Sequence, residues 1–190
     1  VDDIKRWRLN YINYGLRKSV KRFNEVMISN ERNSLSITVA SSEVLFWLNT
    51  ADEWHCKNRN HQSSYKNKRK KETGGQYLLG LKHAYNSLKH EMTFMKLIRP
   101  TEGKPFLEGS VLYVEDYSSN IIWLNAEGLI DKRKEDKWNI KNYKRYIQGK
   151  SVVQTIEGAT IFLDKLYGEV QYEYHQKLEV EMNNPTNESL

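Results

Sequence analysis

The sequence predicts a mainly α protein, a bundle of about four helices with a small β-hairpin insert between the third and fourth. Three observations carry this. Apolar residues recur at alternating spacings of three and four along several long stretches, the period of a helix with one buried face. Only three prolines and ten glycines occur in 190 residues, too few for a turn-rich β sandwich. One stretch departs from the helical period, beginning at Pro100 and Pro105.

The first helix is expected over residues 2–29, with Ile4, Trp7, Tyr11, Tyr14, Val20, Phe23 and Met27 on a broad apolar face. Asp2 and Asp3 suit its amino end, where the helix dipole favours negative charge. Ser34 offers a cap for a second helix over roughly 35–56, carrying Leu35, Val39, Leu45, Leu48 and Trp54. Its β-branched residues make a strand the competitor for the first few positions. Residues 57–74 read as a polar, basic loop, long for a compact domain.

The third helix is expected from about 75 to 98. Leu78, Leu81, Tyr85, Leu88, Met92 and Met95 form one continuous seam on it. Val111–Glu115 and Asn120–Leu124 read as the two arms of a hairpin around Asp116-Tyr117-Ser118-Ser119. Residues 125–139 look irregular, and Tyr143 to Ile147 suit a single helical turn before Gly149. A final helix over 151 to about 178 carries Val153, Ile156, Ala159, Leu163, Leu166, Val170 and Tyr174. The length fits one domain, residues 1–180 with the insert at about 101–139, and residues 181–190 have the composition of a disordered tail.

No apolar run approaches the roughly 18 residues a membrane span requires. No signal-peptide pattern opens the chain, and its single cysteine, Cys56, cannot form an internal disulfide; a cytoplasmic protein is the expectation. Zinc spacings, a phosphate-binding glycine loop and a dinucleotide fingerprint are all missing, so neither metal nor cofactor is expected. Gly74-Gly75 reads as punctuation before a helix rather than an anion site.

The formal charge of +6 is unevenly spread. Lys66, Lys68, Arg69, Lys70 and Lys71 form a dense basic block that suits RNA phosphates or, equally, a solvated surface. A second stretch from Lys132 to Arg145 interleaves cations with Trp138, Tyr143 and Tyr146, but Asp131, Glu135 and Asp136 cancel much of its field.

The third helix also carries the candidate chemistry. His83, Asn86 and His90 are spaced three and four apart, a polar stripe beside the apolar seam. A histidine that titrates near neutral pH can move the ribose 2′-hydroxyl proton or protonate the leaving 5′-oxygen in metal-independent RNA cleavage. Lys82, Lys89 and Asn86 are the donors available to stabilise the phosphorane.

The run Gly80-Leu81-Lys82-His83-Ala84-Tyr85-Asn86-Ser87-Leu88-Lys89-His90 resembles the motif helix of the HEPN-like superfamily of bacterial and archaeal helical bundles. That signature is an arginine, commonly followed by a polar residue, with a histidine four to six residues beyond. Trp123, the run from Tyr143 to Gly149 and the helix that follows resemble the later part of one subgroup, so the likeness covers roughly residues 35–166. The resemblance implies RNA engagement, metal-independent endoribonuclease activity in prokaryotic defence or toxin–antitoxin function, a homodimer with a composite cleft, and a protein or antitoxin partner. It matches Asn86 to the polar residue and His90 to the histidine. The arginine position falls on Tyr85, and Lys82 or Lys89 would have to replace that charge as point charges rather than a bidentate fork. The other function expected is therefore a non-catalytic dimeric binding or scaffold module.

Overall fold

Long helices packed in antiparallel order account for nearly all of the observed architecture. The computed structural model describes residues 3–29, 34–58, 62–91, 97–98, 121–123, 125–126 and 137–183. Within them lie six helices: α1 (Asp3–Ile28), α2 (Ser34–Asn58), α3 (Gln62–Lys71), α4 (Thr73–Glu91), α5 (Lys137–Tyr146) and α6 (Val152–Asn183). Two short strands, β1 (Leu97–Ile98) and β2 (Ile122–Trp123), pair antiparallel between α4 and α5. The mainly helical class is as expected, but the count of about four is not. Lys-rich residues 62–71 form α3, because Tyr65 and Arg69, one turn apart, give even this polar segment a face that packs inward.

The α1 and α2 helices run antiparallel, with Arg22 paired to Glu43 at 3.2 Å and Gly15 pressed against the Trp47 ring. The α6 helix runs antiparallel to α1, joined by Arg17 to Asp164 at 3.2 Å, Gln171 to Asn10 at 2.8 Å and Tyr174 to Asp3 at 2.6 Å. Its other flank meets α3 and α4, where Lys68 bonds Glu169 at 2.9 Å and Lys165 pairs with Glu72 at 3.3 Å. Close approach there depends on Gly74, since a Cβ would stand 2.3 Å from the Gly158 carbonyl oxygen. Gly75 likewise lies against the Arg69 backbone. The glycine pair is thus a packing device inside α4 rather than a loop before it.

The core joins Leu9, Leu16 and Phe23 of α1 with Ile37, Val44 and Leu48 of α2, Leu81 of α4 and the Ile156, Leu163, Leu166 and Val170 stripe of α6. Two faces differ from expectation. On α1 the buried set is Leu9, Ile12, Asn13, Leu16, Ser19 and Phe23, leaving Ile4, Trp7, Tyr11 and Tyr14 on the outside. The polar Asn13 and Ser19 dilute the apolar period of the true inner face, while the aromatics advertise the outer one. On α2 apolar side chains surround the helix, so Leu35 and Val39 are exposed while Ile37, Ala40 and Val44 are buried. The strand alternative for its start is not realised.

The β insert also differs. Residues 111–115 lie outside the described residues, and β2 has both edges occupied. Leu97 and Ile98 pair with one edge, where a helix continuing to 98 was expected. On the other, Trp123 N donates to Lys150 O and Gly149 N donates to Trp123 O, both at 2.9 Å, and Val152 N donates to Ile121 O at 2.8 Å. Gly149, at φ 74°, turns the chain out of α5 for this pairing. Trp123 is buried and its indole N–H donates to Thr155 Oγ1 at 2.6 Å. At the end of the chain α6 continues to Asn183, three residues into the segment expected to be a disordered tail; residues 184–190 lie outside the described residues.

Candidate functional site

A cleft of about 300 Å³ opens among the described residues where α2, α3, α4 and α5 meet. Asp52, Glu53 and Cys56 line it from α2, Arg69 from α3, Leu78, Leu79 and Lys82 from α4, and Trp138 and Asn139 from α5. Helical spacing explains the grouping. Asp52 and Cys56 lie one turn apart, as do Leu78 and Lys82, so adjacent turns present the same wall.

Its inner wall is a buried charge network. Arg69 Nη1 donates to both Asp52 oxygens, at 2.8 and 2.5 Å, and the Tyr65 hydroxyl donates to the same carboxylate. His55 stacks on the Tyr65 ring at 5.5 Å, and the Arg69 guanidinium lies 5.7 Å from that ring's centre. Burial and the Asp52 charge push the Tyr65 hydroxyl well above its ordinary range, so it stays protonated and donates. Burial disfavours the Arg69 charge, but Asp52 outweighs it and raises the guanidinium. The Cys56 thiol is pushed up by burial and by Asp52, which keeps it from acting as a ready nucleophile.

The outer wall is an ion pair at the mouth. Lys82 reaches Glu53 at 3.3 Å, and Asn49 donates to the same carboxylate at 3.3 Å. Burial opposes the Glu53 charge, yet the Lys82 bond and charge, with Asn49 and Lys57, hold the carboxyl below its usual value. Every acid just named faces a base, so the cleft resembles a closed electrostatic latch more than an open ligand pocket. Among the described residues, no group of three His, Cys, Asp or Glu side chains is placed to hold a metal ion.

The residues expected to carry RNA chemistry fall into three environments. His83 is fully buried, its ring set edge-on to Tyr143 at 4.8 Å. Burial lowers its pKa to about 4, so the imidazole is neutral at physiological pH and sits in the core. Asn86 is half-buried on α4, as is Tyr85, which packs against the core. His90 and Lys89 belong to the same helix, but their side chains lie outside the described residues.

The basic block is divided as well. Arg69 and Lys68 are held by Asp52 and Glu169, as Lys82 is by Glu53. Lys66, Lys70 and Lys71 point to solvent, Lys66 and Lys70 being one turn apart on the outer face of α3. The structure thus gathers Arg69 and Lys82 into one cleft with Asp52, Glu53, Trp138 and Asn139, none of which the motif reading selected. It does not bring His83 into that cleft. One signal for Asp52 was present: Leu45, Leu48 and Asp52 follow the three-and-four period, which places a carboxylate on a buried seam. No family model, no curated protein and no solved structure matches the chain.

Proposed function

We propose that this chain is a non-catalytic binding module of HEPN-like type that engages RNA through the outer face of α3. The non-catalytic half rests on α4, where the motif histidine is His90 and the other histidine is His83. The buried, neutral ring of His83 has neither the solvent access nor the pKa of a proton carrier. The arginine that the motif would require is Tyr85, a half-buried seam residue. Lys82, one of two lysines available to replace that charge, is committed to Glu53.

Engagement of a polyanion is supported by the three solvent-facing lysines on a ten-residue helix, Lys66, Lys70 and Lys71. Each lysine that neutralises a phosphate on a single strand contributes about 0.7 to the slope of log K against log salt.

The test is incubation with defined single-stranded RNAs in EDTA, beside His90→Ala and the triple variant Lys66→Glu/Lys70→Glu/Lys71→Glu. The expected result is salt-sensitive binding without cleavage, and a salt slope shallower by about 2 in the triple variant. Cleavage by the wild type that His90→Ala abolishes, leaving 2′,3′-cyclic phosphate ends, would establish the nuclease reading instead. Equal binding by wild type and triple variant would remove α3 from the interface.

A further inference from the structure

Among the described residues, the outer face of α1 carries a stripe of exposed large apolar side chains. Trp7, Tyr11, Tyr14 and Ile4 are 62%, 56%, 64% and 80% exposed, on a helix whose opposite face is sealed in the core. The four lie at spacings of three, four and three, one straight stripe along more than two turns. Trp7 and Tyr11 already pack edge-on at 4.3 Å, which fixes the middle of the stripe in one shape. With about 200 Å² of surface per large side chain, these exposures amount to roughly 500 Å² of contiguous apolar area. That is near the upper end of what monomers show, about 300–600 Å². It is also most of the roughly 800 Å² per partner that a stable interface buries.

We infer that this stripe is a homodimer interface, in which the α1 helices of two copies cross antiparallel about a two-fold axis. The spacing argues for a second copy over an unrelated partner. Three-four-three reads the same in both directions, so a perpendicular two-fold axis sets Trp7 against the other copy's Tyr11 and Ile4 against its Tyr14. An isologous contact requires this self-complementarity. Arg8 and Lys18, both exposed, supply the rim that completes the area.

The position has a consequence for α4. The α1 helix packs on α2 and α6, and its exposed stripe faces away from them, whereas α4 packs on α2, α3, α5 and α6. A dimer through α1 therefore keeps the two α4 helices apart. This inference rests on the α1 face alone and is independent of RNA binding.

The experiment is light-scattering mass measurement on the full chain from about 1 to 100 µM, with Trp7→Glu/Tyr11→Glu and, as control, Ile161→Ser, another exposed apolar residue on α6. Wild type and control are expected at twice the 22.5 kDa of one chain, and the double variant at half that mass with unchanged helicity. Pairing is read on a Cys56→Ser background by oxidising a mixture of Ile4→Cys and Tyr14→Cys chains. The 4–14 cross-link is expected to dominate over 4–4 and 14–14. A monomeric wild type, a double variant that stays dimeric, or predominance of like-with-like cross-links would each overturn the inference. So would loss of helicity in the double variant, since it would show that these side chains serve the fold.

Discussion

Replacing Asp52 by asparagine should destabilise this protein more than any other single isosteric change in the cleft. The side chain of Asp52 is only 5% exposed and that of Arg69 17%, so their ion pair lies largely out of water. Asp52 also accepts from Tyr65, whose ring lies beside both Arg69 and His55. Asparagine fills the same space but removes the charge that offsets the guanidinium, and half of its amide becomes a donor facing other donors. Breaking a buried pair from one side costs about 3–5 kcal/mol, because the surviving charge stays buried and uncompensated. For a chain of this size each kcal/mol moves the melting point by about 2–4 °C, so Tm should fall by roughly 6–20 °C. Urea unfolding followed by circular dichroism would measure the free energy directly. The triple variant Asp52→Leu/Arg69→Met/Tyr65→Phe, which removes both charges and the hydroxyl that donates to Asp52, should recover most of the loss. A cost below about 1 kcal/mol for Asp52→Asn would refute the idea that this network fastens α3 to α2.

Three further outcomes follow from the packing. His83 has a folded pKa near 4 against 6.5 unfolded, so between those values the unfolded chain binds more protons and stability falls as pH falls. The loss from pH 8 to pH 5 should be about 2 kcal/mol, and His83→Leu should flatten that part of the urea-midpoint profile. Gly74→Ala should cost about 1–3 kcal/mol, since its Cβ would strike the Gly158 carbonyl and Phe162, a backbone and a core residue with little freedom to yield. Gly168→Ala, with open space at its Cβ and a helical position, should stabilise by about 0.5–1 kcal/mol; thermal unfolding of the pair checks both signs.

The long helices were legible because their period survives dilution. The α6 stripe from Ile156 to Val170 is the buried stripe, and α2 and α4 begin within two residues of their expected starts. What failed was the choice of face. Period alone cannot distinguish a stripe covered by neighbours from one left bare, so the aromatic side of α1 was mistaken for its inner side. The α3 helix escaped notice because nine of its ten residues are polar or charged, Tyr65 being the exception. Its helicity comes from tertiary partners, Asp52 and Glu169, which no local pattern reveals. The candidate site was half legible: Arg69 and Lys82 were chosen for their charge, while the carboxylates that hold them lie elsewhere in sequence.

The clasp of α6 on α1 carries a consequence for how the chain is made. Asp3, Asn10 and Arg17 find partners at Tyr174, Gln171 and Asp164, so these contacts close loops of 171, 161 and 147 residues. During vectorial synthesis α1 and α2 emerge early and pair, but one side of α1 stays unmatched until residues near 174 leave the ribosome. While the residues between α2 and α6 are made the hairpin is a half-finished surface, and closure awaits a distant segment. Such long-range closure slows folding relative to bundles built from neighbours. A nascent chain stalled near residue 150 should accordingly expose Leu16 and Phe23, residues that are sealed once α6 has docked.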